Sequence, residues 1–289
     1  MTHSQVIIFG EVLFDRFPDG KMVLGGAPFN VAWHLQGFGV SPLFISRVGN
    51  DSEGEKIKQS MKDWGMDLSG IQTDKQYPTG VVDVKFKDNE PYYDIVQNSA
   101  YDFIDSSSIP YLDKNSLLYH GSLALRNQTS QATLDSIKKD VSPSIFFDVN
   151  LRSPFWDLSS IESLLSQTSW LKLNQDELPL IVPQEKNTES QINYLFSHYS
   201  LTQITLTQGK AGATSFTSPQ QNYQVSPSQN TVVVDTVGAG DAFSSVLILG
   251  ILKQWDISTT LQRAQEFASK VVKIQGATKF DRTFYDGFD

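Results

Sequence analysis

Six short apolar runs recur along the chain, at QVIIFG (5–10), LFISRV (43–48), SLLYHG (116–121), SIFFDVN (144–150), SWLKLN (169–174) and QITLTQG (203–209). They are rich in β-branched and aromatic residues and close on a polar residue or glycine, and stretches of helical spacing separate them. That alternation predicts an α/β body with a largely parallel sheet. Val232 to Val234 read as one further buried strand, and Ala242 to Leu252 as a buried helix. Leu261, Ala264, Phe267, Ala268, Val271 and Val272 follow helical spacing and predict core packing. VVDVKF (81–86) and PYYDIV (91–96) flank a polar KDNE turn and predict a hairpin. With VLFDRF (12–17) and MVL (22–24) it would form a small sheet projecting from the body, a lid built from about residues 12–24 and 80–97. The polar segment VPQEKNTESQ (182–191) reads as a surface loop leading into a helix.

In open α/β sheets the carboxyl ends of the strands build the site, so Asn150, Asn174, Gly209 and the Asp235 loop are candidates to converge there. In DTVGAGDAF the glycines Gly238 and Gly240 precede Asp241 at a helix entrance. One reading makes Asp241 an N-cap. The other has the glycines turn backbone N–H groups toward an anion, with the acid beside it taking a proton from a hydroxyl that attacks a phosphate. A second pair, Gly25 and Gly26, precedes Pro28 and Asn30; it reads either as a tight turn before an ordinary helix or as a cradle for a hydroxyl-rich ligand. Asp15 is either a solvated lid acid or a holder of vicinal hydroxyls. Asp148, Asn150 and Arg152 follow one strand, Arg152 being a cation that could offset phosphate charge or a surface salt bridge. Asn174 and Glu177 fit a helix cap or a hydrated Mg²⁺ site. Thr207, Gly209 and Gly212 read first as a turn and second as a nucleotide-phosphate contact.

Composition narrows the classes. A chain of 289 residues, 39% hydrophobic and 11% aromatic, suits one α/β domain, and no run reaches the roughly 18 apolar residues of a membrane span. The opening MTHSQVIIFGEV lacks the features of a secretory signal, and the absence of cysteine excludes disulfides and thiolate metal sites; both fit a cytoplasmic protein. A formal charge of −9 disfavours nucleic acid and anionic membranes as partners. A phosphate ligand would then rely on a helix dipole, a few cations and a divalent metal. No G-x-x-x-x-G-K-[ST] run occurs, which excludes a P-loop kinase, and the first strand leads into GEVLFD without G-x-G-x-x-G, which disfavours a dinucleotide dehydrogenase.

GGAPFNVAWHLQGFG, VGNDSEG (48–54) and DTVGAGDAFSSVLILG resemble the signatures of the ribokinase-like, or PfkB, carbohydrate kinases, and the likeness covers nearly the whole chain. GEVLFD, GGAPFN and DVNLRSPFW look most like fructokinases and 2-keto-3-deoxygluconate kinases. The resemblance implies a ribokinase-like three-layer sandwich, a mostly parallel sheet between helices with a β lid over the sugar. It implies Asp241 as general base and Gly238, Ala239 and Gly240 as the anion hole, with Arg152 assisting. Asn174 and Glu177 match an N-x-x-E motif associated with Mg²⁺ and phosphate; Thr207, Gly209 and Gly212 match a loop near ATP. Asp15, Gly25, Gly26 and Asn30 fall at sugar-binding positions, and K⁺ can sit near the Asp235 loop. The implied reaction moves the ATP γ-phosphoryl group to a primary hydroxyl of a small sugar, fructose first. The alternatives are a sugar acid such as 2-keto-3-deoxygluconate, which Arg16 or Arg47 facing the sugar would favour, or a nucleoside; from another class, the chain would be a non-catalytic sugar or nucleotide sensor. A bulky Phe29 beside Asn30 is expected to reshape the pocket. The chain is expected to be a monomer, or a homodimer paired through its lid.

Overall fold

The computed structural model describes residues 5–87, 90–228 and 232–288. The first part of the chain forms β1 (Val6–Phe9), β2 (Leu13–Arg16), β3 (Met22–Gly25), α1 (Ala27–Gly37), β4 (Leu43–Gly49), α2 (Ser52–Asp63), β5 (Ile71–Asp74), β6 (Gly80–Lys87) and β7 (Glu90–Ile95). The middle forms β8 (Leu117–His120), α3 (Gln128–Val141), β9 (Ser144–Asp148), α4 (Leu158–Leu165), β10 (Trp170–Asn174), α5 (Leu178–Ile181) and α6 (Thr188–His198). The last part forms β11 (Gln203–Thr207), β12 (Ala213–Ser218), β13 (Gln221–Val225), α7 (Ala239–Lys253) and α8 (Ile257–Val271).

All six apolar runs are strands of one nine-stranded sheet, ordered β13-β12-β11-β10-β9-β8-β1-β4-β5. From β5 through β11 every neighbouring pair is parallel; β12 and β13 add an antiparallel edge. The parallel strands are apolar without alternation because both faces are covered. Within β1, Val6 and Ile8 join the core cluster shared with α1, α2, α7 and α8, whereas Ile7 and Phe9 join the one shared with α3. The architecture is therefore the expected three-layer α/β sandwich. Helix α7 is buried from Ala242 through Gly250, and burial of Val246, Leu247, Ile248 and Leu249 contributes roughly 2 kcal/mol each.

A second sheet of four strands has the order β3-β2-β6-β7. Strand β2 runs antiparallel to β3 and parallel to β6, and β6 pairs antiparallel with β7 through Val82↔Ile95 and Val84↔Tyr93. Asp88 and Asn89 of the KDNE turn lie outside the described residues. Leu13, Val82 and Ile95 pack on Tyr101, Leu123 and Ala124, which seats this sheet beside the carboxyl ends of the large one. In VGNDSEG, Asp51 caps α2 by accepting the Gly54 N–H at 2.8 Å and also accepts the Thr79 N–H and hydroxyl, tying the start of β6 to the body.

Two local expectations fail. Val232 to Val234 form no strand: they are 72%, 52% and 61% exposed, and Val234 and Asp235 direct their N–H groups to Val272 O at the end of α8. Held at the end of α8 in this way, the described part of the run joins neither sheet. Phe29 is fully buried against Trp33 and Phe44 in the core and does not line the cavity described below. Among the described residues no helix is long and apolar enough to cross a membrane.

Candidate active site

Strand β1 lies between β4 and β8, so chain connections leave it in opposite directions and open a crevice at the carboxyl ends. A cavity of about 500 Å³ fills that crevice under the four-stranded sheet. It brings together Asp15, Gly25, Gly26, Asn30, Asn150, Arg152, Asn174, Glu177, Thr207, Gly238, Gly240 and Asp241, residues spread over most of the chain. A larger cavity of about 730 Å³ lies between α3 and α4, but none of these residues reaches it.

Helix α7 begins at Gly238, whose φ of +78° and close approach to Ala277 exclude a side chain. Asp241 is not the cap: Gly238 is, with no side-chain bond, and Asp241 is the acid of the first turn. That leaves its carboxylate free to face the cavity, where Asn30 Nδ2 donates to Oδ2 at 2.8 Å. Burial pushes the Asp241 carboxyl up to about 6; the Asn30 hydrogen bond opposes the rise and the Asp148 charge adds to it. The first-turn N–H groups have no intrahelical acceptors and form the positive end of the helix dipole. Ala239 N–H leans 3.3 Å onto Thr236 O, which leaves Gly240 and Asp241 as the less committed donors.

At the other end, Gly26 turns the chain into α1 with a φ of +109°, and a Cβ there would sit 2.7 Å from Glu11 O. Asn30, one turn into α1, is buried; its Oδ1 has no partner among the described residues. Asp15 is a half-buried member of β2, not a solvated acid, and burial raises its carboxyl to about 6. Glu11 lies deeper, 2% exposed, and burial pushes it up to about 7 against the pull of Arg152. Neither Arg16 nor Arg47 faces this cavity: Arg16 pairs with Asp83 at 2.6 Å on the small sheet, and Arg47 with Asp74 at 2.7 Å. Their side chains are held by local carboxylates, which no sequence spacing announces.

Asn174 and Glu177 close the turn after β10 on each other. Asn174 Oδ1 accepts the N–H groups of Asp176 and Glu177, and Glu177 Oε2 accepts that of Asn174 at 2.8 Å. Glu177 Oε1 accepts Leu151 N–H at 2.8 Å, so this buried acid splices the ends of β9 and β10. The helix-cap reading is not met, because the N-cap of α5 is Glu177 and it makes no side-chain capping bond; the pair braces the strand ends instead, and each carboxylate oxygen keeps a second lone pair beside the cavity. Asp235 braces its loop through Val237 N–H and Gly276 N–H, both at 3.0 Å. Thr207 lines the cavity, whereas Gly209 and Gly212 lie beyond it, in the turn joining β11 to β12. Arg152 is exposed at the rim, its Nη1 on Leu151 O at 3.1 Å.

Three ionisable lining residues escaped the sequence reading. Glu11 sits in the same GEVLFD segment as Asp15, Tyr93 reaches in from β7, and Lys172 projects from β10. Lys172 left a signal, since a lone lysine in an apolar strand rarely stays buried without a partner.

A glycine turn, a first-turn acid and two polar clusters thus converge on one crevice. The family model described as pfkB family carbohydrate kinase matches residues 5–283. The chain therefore belongs to the pfkB family of carbohydrate kinases, and it is an ATP-dependent sugar kinase. It is 30% identical over 264 residues to a fructokinase of Klebsiella pneumoniae, covering 86% of this chain and 85% of that one. A fructokinase structure from Vibrio cholerae with fructose, ADP and potassium superposes with a TM-score of 0.84 at 24% identity, covering 100% and 99% of the two chains. An aminoimidazole riboside kinase from Salmonella enterica, complexed with aminoimidazole riboside and an ATP analogue, superposes at 0.85 with 22% identity, covering 99% of each chain.

Proposed function

We propose that this kinase phosphorylates a neutral small sugar at a primary hydroxyl, fructose being the first candidate. The observation that carries the choice is the charge at the sugar end: Glu11 and Asp15 line it beside the rim cation Arg152, while Arg16 and Arg47 are paired elsewhere. A sugar acid would set a third carboxyl group beside these two with the rim Arg152 to offset it, whereas a polyhydroxyl ligand finds acceptors for its O–H groups. Fructose is also what the Klebsiella relative's name implies. The riboside kinase of the same fold keeps a nucleoside as the second reading.

In this reading Asp15, Gly25, Gly26 and Asn30 hold the sugar. The hydroxyl oxygen attacks the γ-phosphorus of ATP as the bond to ADP breaks in line, and the Asp241 carboxylate takes the hydroxyl proton. Asn30 aims that carboxylate. Charge gathering on the phosphoryl oxygens is met by the first turn of α7: of the expected donors Gly238, Ala239 and Gly240, the Gly240 N–H is the least engaged, Ala239 would first have to release Thr236 O, and Arg152 assists from the rim. Thr207 and the turn carrying Gly209 and Gly212 flank the nucleotide.

No group of three or more His, Cys, Asp or Glu side chains able to hold a metal occurs among the described residues. Mg²⁺ needs few protein ligands, so the spare lone pairs of Glu177 suit a hydrated ion, which would neutralise phosphate charge when bound. The braced Asp235 loop would offer backbone oxygens to a monovalent cation such as K⁺. We read residues 1–289 as one domain, acting in the cytoplasm, with the small sheet as its lid, as a monomer or a dimer through lid edges. Closure of the lid would exclude water and limit ATP hydrolysis. The test is ADP release with Mg·ATP across fructose, other hexoses, ribose, 2-keto-3-deoxygluconate and nucleosides. Fructose-dependent turnover is expected, and preference for a sugar acid would overturn the charge argument.

A further inference from the structure

Beneath the glycine turn lies a buried polar network that the reaction as written above does not use. Lys172, in the middle of β10, directs its ammonium at Asp148, at the end of β9, with Nζ 2.9 Å from Oδ1 and 2.8 Å from Oδ2. The two side chains are 7% and 3% exposed. Asp148 Oδ2 also accepts the Ser244 hydroxyl at 2.7 Å and the Tyr119 hydroxyl at 3.3 Å, so the carboxylate is held from three elements. Ser244 belongs to α7, one turn after Asp241.

Such a pair is a poor device for stability alone, because desolvating two charges offsets most of their attraction. Its position is more telling. Lys172 and Asp148 both line the cavity that contains Gly238, Gly240 and Asp241. The ammonium lies against the first turn of α7: a Cβ on Gly240 would be 3.5 Å from Nζ. Two of its N–H groups are committed to Asp148, and the third has no partner among the described residues. A cation fixed there and backed by a carboxylate faces the place where phosphoryl charge would collect on the helix end.

We infer that Lys172 is a catalytic residue whose ammonium contacts the phosphoryl group in transfer, and that Asp148 is the positioning residue that aims it. The inference rests on the proposed reaction. The acceptor O–P bond forms as the P–O bond to ADP breaks, ADP leaves with the electron pair, and the acceptor proton goes to Asp241. Lys172 stays protonated throughout and supplies only positive charge. Because that charge matters most in the transition state, its loss should act on kcat more than on ground-state binding.

The experiment compares the intact protein with Lys172→Met, Lys172→Arg, Asp148→Asn and the double variant Asp148→Asn/Lys172→Met, which leaves no unpaired buried charge. Circular dichroism melts report folding, calorimetry with Mg·ADP reports nucleotide affinity, and ADP release reports kcat and KM for the best acceptor. The expected result is a fall in kcat of about 100-fold or more in Lys172→Met and in the folded double variant. ADP affinity and acceptor KM should stay within about threefold, and Lys172→Arg should recover part of the rate. A folded double variant that keeps kcat within about threefold overturns the inference while leaving the kinase reading intact. No acceptor-dependent turnover by the intact protein overturns both together.

Discussion

Replacing Asp241 by asparagine is expected to stabilise the fold, and the size of the gain follows from where the carboxyl sits. Burial raises it from an ordinary 3.8 to about 6. Above that value the folded protein holds a charge it would shed if it could, whereas the unfolded chain solvates the same charge in water. A displacement of roughly two pH units corresponds to a penalty of about 3 kcal/mol at neutral pH, an upper figure because the unfolded chain is not fully extended. The penalty is absent below 3.8, where both states carry the proton, grows as pH rises toward 6, and is complete above it. Asparagine has the same shape, carries no charge, and its Oδ1 can still accept from Asn30 Nδ2. Thermal melts of the two proteins at about pH 7.5 and about pH 5 test the sign and the window together. A chain of this length gains roughly 1.5–2 °C per kcal/mol, so the variant should melt several degrees higher at the upper pH. The gap should shrink to about half at the lower pH. A variant less stable than the parent, or a gap indifferent to pH, would refute the reasoning.

Asn30→Ala removes the hydrogen bond that lowers the Asp241 carboxyl, so the acid limb of the kcat/KM pH profile should move upward; an unmoved limb would separate Asn30 from the base. Glu177→Gln loses one of two backbone N–H acceptances and should cost about 1–3 kcal/mol in urea unfolding. The same variant should raise the Mg²⁺ concentration for half-maximal rate, and an unchanged Mg²⁺ titration would leave Glu177 a brace alone. Gly238→Ala sets a side chain at φ +78° against Ala277, so soluble protein with nearly full turnover would contradict the tight turn assigned to it. Phe29→Ala empties core volume and should cost about 3–5 kcal/mol without changing the order of preferred acceptors; an altered order would return Phe29 to the pocket.

The strands were legible because a parallel sheet buried on both faces demands uninterrupted apolar runs, and β1, β4 and β8 through β11 are such runs. The same rule misread Val232 to Val234, since β-branched composition records a preference for extended backbone and says nothing about whether a partner strand is within reach. The glycine turns were legible from spacing, as was the convergence of Asp15, Asn30 and Asp241 once the signatures were joined. What stayed hidden depends on side-chain direction. Phe29 sits next to Asn30 in sequence, yet the helix turns one into the core and the other to the cavity. The pairing of Lys172 with Asp148 crosses from β10 to β9, and the retirement of Arg16 and Arg47 onto Asp83 and Asp74 is equally a matter of which neighbours the fold supplies.

The central claim is that the acid at the start of α7 takes the proton of a sugar hydroxyl during phosphoryl transfer. Fructose-dependent ADP release by the intact protein and by Asp241→Asn, measured side by side with Mg·ATP and with the product examined by phosphorus NMR, tests it most directly. The account predicts a phosphate on a primary carbon for the intact protein, and a kcat lower by about 100-fold or more in the variant with its fructose affinity nearly unchanged. A variant that turns over fructose at a comparable rate would contradict it.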